Sequence, residues 1–124
     1  MNTTHNSKET DMNLLLAAIL AVEGWRGPGT KGAAGEVGPY QITYAYWQDA
    51  RMPGKFIDCE SREYSEQVMD RYWKRYCPGA WLDNDWETLA AVHHLGPKGV
   101  KVAKEKSYKD DYVERVLNQK GGGT

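Results

Sequence analysis

The sequence is short of the features that mark several broad protein classes. No apolar run approaches the roughly 20 residues that cross a bilayer. The longest, over 14–22, is far shorter and follows Glu9 and Asp11. It also lacks the basic start and small-residue cleavage site of a secretion signal, so membrane insertion is not expected, and the protein is made without an export signal or has had one removed. Charge of one sign is missing too: 16 Lys and Arg face 17 Asp and Glu, for a formal net charge of -1. Nucleic-acid binders carry a basic excess, so that partner class is excluded. Any attraction to an anionic polymer would have to be local. Cysteine is scarce. Cys59 and Cys77 permit one disulfide, which would close a loop of about 18 residues and contribute roughly 3 kcal/mol if unstrained; two buried free thiols are the alternative. Phenylalanine occurs once, against five Trp and eight Tyr. Trp and Tyr join a flat apolar face to a polar edge, which suits both a small core and a wet, sugar-lined groove.

A chain of 124 residues fits one domain. The expected layout is a disordered segment over 1–10, a folded domain over 11–118 and a flexible tail over 119–124. Asp11 is a good N-cap, and Leu15, Ala18, Ile19 and Val22 follow at helical spacing, predicting a helix over 12–23. Gly24 and Gly27-Pro28-Gly29 stop it, which puts Glu23 on its last turn. The stretch 26–37 is rich in glycine and reads as an irregular lobe or short hairpin, and 40–44 is more β-like. A short helix can begin at Tyr44, and Arg51-Met52-Pro53-Gly54 is a turn. Val68, Met69, Tyr72, Trp73 and Tyr76 define one face of a helix over 62–76, which Pro78-Gly79 ends. Asp85 caps a helix over 86–95 with Leu89, Ala90 and His93 along one stripe. A last amphipathic helix over 108–117 carries Tyr112, Val113, Val116 and Leu117.

Glu23 is the leading chemical candidate. A helix C-terminus carries partial negative charge and disfavours an ionised carboxylate there. A covering ring such as Trp25 would add desolvation in the same direction. A carboxyl group kept protonated near neutral pH can protonate a glycosidic oxygen. His93 and His94 do not suggest a metal: neighbours on a helix point about 100° apart, and no Cys or carboxylate stands at ligand spacing. Neither metal nor cofactor is expected. Ser61, Ser65 and Ser107 lack the context of an activated nucleophile.

The order of helix, Glu23, glycine-rich lobe and Gly35-Glu36-Val37-Gly38-Pro39-Tyr40-Gln41-Ile42 resembles the lysozyme and lytic transglycosylase superfamily. Further on come Tyr44-Ala45-Tyr46-Trp47, then Tyr72-Trp73-Lys74-Arg75-Tyr76-Cys77, then His93-His94-Leu95-Gly96-Pro97-Lys98-Gly99. That ordered set is similar to invertebrate-type, destabilase-like lysozymes and their bacterial and phage relatives. The resemblance implies an α+β, predominantly helical, lysozyme-like single domain, with an irregular or small β lobe forming one wall of a cleft. It implies a peptidoglycan glycosidase, muramidase or lytic transglycosylase, that cuts the MurNAc-GlcNAc bond with Glu23 as acid and needs no cofactor. Tyr40, Gln41, Tyr46, His93, His94 and Gly96 would bind the substrate. The working site would be the bacterial cell wall, reached by secretion or phage delivery, and the chain is expected to act as a monomer.

The departures from the family pattern keep alternatives open. His94 and Leu95 stand where the family has an amide and a small residue. No Asp lies between Glu23 and Gln41, so Glu36 is the acidic residue available there as base or nucleophile. A glycan-binding module without catalysis and a chitin-directed glycosidase are the competing readings. The isopeptidase activity implied by destabilase-like relatives finds no activated serine.

Overall fold

The computed structural model describes residues 3–24, 27, 32, 34–106 and 112–122, with side chains omitted at 3–7 and 120–122. The helices in chain order are α1 (Thr3–Glu23), α2 (Tyr44–Ala50), α3 (Arg62–Tyr76), α4 (Pro78–Asp83), α5 (Trp86–Leu95), α6 (Gly99–Glu105) and α7 (Tyr112–Gly122), with a 3-10 turn at Phe56–Glu60. The chain is thus predominantly helical, as expected.

Periodicity accounts for the packing. On α1, Leu15, Ala18 and Ile19 are buried, and on α3 so are Val68, Met69, Tyr72 and Trp73. These faces meet Leu89 and Val92 of α5 in one core, where the Trp73 indole N–H donates to the Leu89 carbonyl at 3.0 Å. α7 lays Tyr112, Val113 and Val116 inward and packs on α1 and α5. Three caps fix helix starts: Thr43 Oγ1 accepts from the Tyr46 amide, Ser61 Oγ from Tyr64, and Asp85 Oδ1 from Thr88.

Several boundaries differ from the sequence reading. α1 starts at Thr3, so Asp11 lies inside it rather than capping it. A tertiary contact accompanies the extra turns. Lys8 Nζ donates to the Trp81 and Leu82 carbonyls at 2.9 and 3.3 Å and sits 4.3 Å above the Trp81 ring. Pro78 ends α3 but also opens α4 at a position where its missing N–H costs nothing. Gly99 begins α6, a helix the sequence reading does not contain. A Cβ there would lie 2.4 Å from the Ala91 carbonyl oxygen, so the close contact of α5 with α6 requires glycine. The last helix runs to Gly122, while 108–111 fall outside the described residues.

The β lobe is less regular than expected. Among the described residues its one β feature is the isolated antiparallel bridge between Val37 and Ile42, closed by amide–carbonyl bonds of 2.9 and 3.0 Å. The bridge encloses the turn Gly38-Pro39-Tyr40-Gln41, with the Gln41 amide on the Gly38 carbonyl at 3.0 Å. Pro39 supplies the φ that the second turn position needs. Gly38 has φ of 81° and a Cβ on it would fall 1.8 Å from the Cys59 carbonyl oxygen. That steric limit fixes the turn against the chain just before α3. Cys59 and Cys77 are both buried free thiols, which burial pushes up to about 11.

Candidate active site

The turn at Gly38–Gln41, the end of α1, the body of α2 and the end of α5 surround a cleft of about 440 Å³. Glu23, Glu36, Gln41, Tyr46, His93, His94 and Gly96 all line it. The sequence-predicted residues therefore come together, except Tyr40. The Tyr40 ring is fully buried and its hydroxyl donates to Glu66 Oε2 at 2.6 Å, outside the cleft. Tyr40 reaches the site only through its carbonyl.

That carbonyl determines the state of His93. His93 Nε2 lies 3.0 Å from Tyr40 O, and Nδ1 lies 2.9 Å from the Tyr46 hydroxyl. A carbonyl can only accept, so Nε2 carries the hydrogen and Nδ1 accepts from Tyr46. Burial of the ring holds its pKa down to about 4; the bond to the Tyr40 carbonyl opposes this and the nearby His94 adds to it. His93 is thus a neutral strut joining the turn, α2 and α5. Tyr46 is stacked on Tyr72, with ring centroids 3.7 Å apart and planes 12° from parallel. His94 points elsewhere. It is exposed and lies flat against Tyr112, 4.1 Å between centroids. The two histidines diverge, and among the described residues no group of His, Cys, Asp or Glu could hold a metal ion.

Glu23 occupies the floor. Its side chain is 16% exposed, and Oε2 lies 3.8 Å from His93 Nε2. With His93 neutral this contact is not an ion pair. The Tyr112 hydroxyl donates to Oε2 at 2.7 Å. Burial raises the Glu23 pKa to about 7; the Tyr112 bond lowers it, the Glu36 charge raises it and the Arg115 charge lowers it. Desolvation, expected from sequence beside the field of the helix terminus, is the largest cause in the folded cleft; Trp25 falls outside the described residues. With Tyr112 on Oε2, the other oxygen, Oε1, is left to carry the acid proton.

Glu36 sits half-buried beside the turn. Its Oε1 accepts from the Ala34 amide at 2.8 Å, and its charge is felt at Glu23. Gln41 adopts a left-handed φ of 53°, and its side-chain amide donates to the Gly38 carbonyl at 2.8 Å. Its own amide oxygen is then available to a ligand. Gly96 ends α5, next to Leu95 and Pro97, which also line the cleft.

Sequence reasoning missed Tyr112, Tyr72 and Asp49. Asp49 and Tyr72 line the cleft, and Tyr112 holds the acid from 89 positions away. Tyr112 and Tyr72 were recognised only as apolar-face residues of their helices; no local signal marks a hydroxyl that meets a distant carboxyl. The serines have structural tasks. Ser65 is buried and its hydroxyl donates to the Cys59 carbonyl at 2.7 Å, Ser61 caps α3, and Ser107 is outside the described residues. Among the described residues no helix is long and apolar enough to cross a membrane.

Comparison with known proteins identifies the family. The chain is 33% identical over 98 residues to a lysozyme of Meretrix lusoria, covering 75% of this chain and 80% of that one. Residues 28–116 match the Destabilase family, a span that includes the turn, α2 to α6 and Tyr112. The chain belongs to the Destabilase family of invertebrate-type lysozymes.

Proposed function

We propose that this protein is a muramidase that hydrolyses the MurNAc-GlcNAc bond of peptidoglycan strands, with Glu23 as its general acid, and that its place of action is the bacterial cell wall. The observation that carries this reading is a cleft-floor carboxyl group whose pKa burial raises to about 7. At neutral pH a large fraction of Glu23 is protonated, and its driving force for transfer to a glycosidic oxygen is well matched. Tyr112 fixes Oε2 and leaves Oε1 to deliver the proton. As charge develops on Glu23, the Tyr112 hydrogen bond and the Arg115 charge stabilise it, since both favour the ionised form.

Glu36 serves as the second carboxylate, the base for water or the nucleophile. It is the carboxylate whose charge acts on Glu23, as a pair with divided tasks requires. Which of the two roles it takes depends on the separation of the carboxyl groups around a bound sugar. Gln41, His94 and the backbone at Gly96 contact the glycan. Tyr46 and His93 hold the cleft in shape from behind, and Tyr40 supports them through its carbonyl.

The test is digestion of purified peptidoglycan by the wild-type chain and Glu23→Gln, with products identified by mass spectrometry. Wild type should release fragments with reducing muramic ends. The variant should lose about 10²–10⁴-fold in rate with its fold intact. Anhydro-muramic ends would replace hydrolysis by the transglycosylase reaction. No release by wild type, where a known muramidase works, would overturn the proposal.

A further inference from the structure

A second groove, of about 440 Å³, adjoins the cleft at Asp49, which lines both. Its other lining residues are Ala50, Arg51, Arg71, Lys74 and Arg75. Four cations stand there in a chain whose formal net charge is -1, so the positive field is local. Two of the guanidinium groups are held in place. Arg71 Nε and Nη2 donate to the Ala50 and Arg51 carbonyls at 3.0 and 2.9 Å, and Arg75 Nη1 donates to the Asp49 carbonyl at 2.8 Å. These bonds anchor α3 to the end of α2 and restrict the rotamers of both arginines. A guanidinium has more N–H donors than these bonds use, and an immobilised fork loses less freedom when it grips an anion. Lys74 is half exposed and pairs with Asp70 at 2.8 Å. Arg51 is exposed at the groove edge.

We propose that this groove binds the carboxylates of the peptide branches on the glycan strand, making it a subsite for the branch beside the bond to be cut. The inference rests on the muramidase reading, because it takes the strand to lie in the adjoining cleft. In a peptide-bearing strand the lactyl carboxyl of each MurNAc is tied up in the amide bond to the peptide, so the sugars offer this groove no charge. The branches do, and a branch leaving the cleft past Asp49 enters the groove directly. Arginine forks match carboxylates in a planar, two-bond geometry. The subsite would select branched strands over bare ones and weaken with salt, as a partly exposed charge interaction does.

The experiment is calorimetric titration of the full chain, carrying Glu23→Gln so that the glycan is not cut, with soluble glycan fragments of equal length in three forms: peptide-bearing, stripped of peptides with the freed lactyl carboxyls amidated, and peptide-bearing with the carboxylates amidated. With the groove intact, this chain should bind the peptide-bearing form about tenfold more tightly than either other form, a difference of about 1.4 kcal/mol. Adding Arg51→Asn/Lys74→Gln, which spares the fixed Arg71 and Arg75, should lower that ratio severalfold; Asn tolerates the left-handed backbone at position 51 (φ of 54°). Arg51→Lys/Lys74→Arg should restore most of it. Equal binding of all three forms by the chain with an intact groove, or an unchanged ratio after the groove substitutions, would overturn the groove while leaving the muramidase reading in place. Failure to bind any form would overturn both.

Discussion

Glu23 and His93 stand 3.8 Å apart on the cleft floor, and burial drives them in opposite directions, the carboxyl up to about 7 and the imidazole down to about 4. Both are therefore neutral across much of the range between those values. The difference lies in their partners. Both nitrogens of His93 are occupied, by the Tyr40 carbonyl and the Tyr46 hydroxyl, so the ring has nothing left for a substrate. Glu23 has one oxygen fixed by Tyr112 and one left for chemistry. The same desolvation makes one group a strut and the other an acid, according to how completely it is satisfied.

Breaking the strut should have the largest effect on stability. His93→Leu leaves the Tyr40 carbonyl and the Tyr46 hydroxyl buried without that partner. Each orphaned group costs about 1–3 kcal/mol, so a loss of about 4 kcal/mol is expected in denaturant unfolding at pH 7. A loss below about 1 kcal/mol would mean that His93 does not join the turn to α2 and α5.

Removing the acid should act the other way. Glu23 titrates near 4.5 when unfolded and near 7 when folded. The native state holds a proton in that window that the unfolded state has released, so stability falls as pH rises through it and stays reduced above. The penalty is about 3 kcal/mol, and Glu23→Gln should recover much of it at pH 8. His93 has the opposite sign. Its folded pKa lies below its unfolded value, so its contribution is present above about 6.5 and is lost as pH falls toward 4. In wild type the two slopes oppose each other between about 4.5 and 6.5. In Glu23→Gln only the His93 slope remains, and unfolding free energy should rise with pH by about 2 kcal/mol across that window. A variant as flat as wild type would contradict the assigned charge states.

How much of this was legible in the sequence follows from the range of each interaction. The buried faces of α3 and α5 could be read because helical periodicity is local: Val68, Met69, Tyr72 and Trp73 announce themselves by spacing. The turn at Gly38–Gln41 could be read from its glycine and proline, and the family resemblance gathered Glu23, Glu36, Gln41 and His93 before any coordinates. The start of α1 could not, because Lys8 is held by carbonyls of α4. Nor could the Tyr112 contact, which depends on α7 packing across α1. Pro78 and Gly99 carry a double meaning. Each looks like a breaker, and each also opens a helix, Pro78 through its free first-turn position and Gly99 through close approach to Ala91.

Tyr112→Phe sharpens the contrast at smaller cost. It removes one hydrogen bond to Oε2 and should lower stability by about 1 kcal/mol. Because that bond favours the ionised carboxylate, its loss raises the Glu23 pKa further. The alkaline limb of the pH–rate profile should move to higher pH. A merely structural tyrosine would lower stability and leave that limb where it was.

Glu36→Gln should produce the smallest shift of the limb, and in the opposite direction. The Glu36 charge raises the Glu23 pKa, but less than burial does. Without it Glu23 ionises more easily, and the alkaline limb of whatever activity remains should move to lower pH. Rate and limb position then separate the two parts Glu36 can play. A base or nucleophile loses most of kcat when it becomes Gln, in addition to the shift. A neighbour that acts only through its field gives the shift with kcat largely kept, and the second carboxylate would then be sought at Asp49, the remaining acidic side chain on the cleft wall.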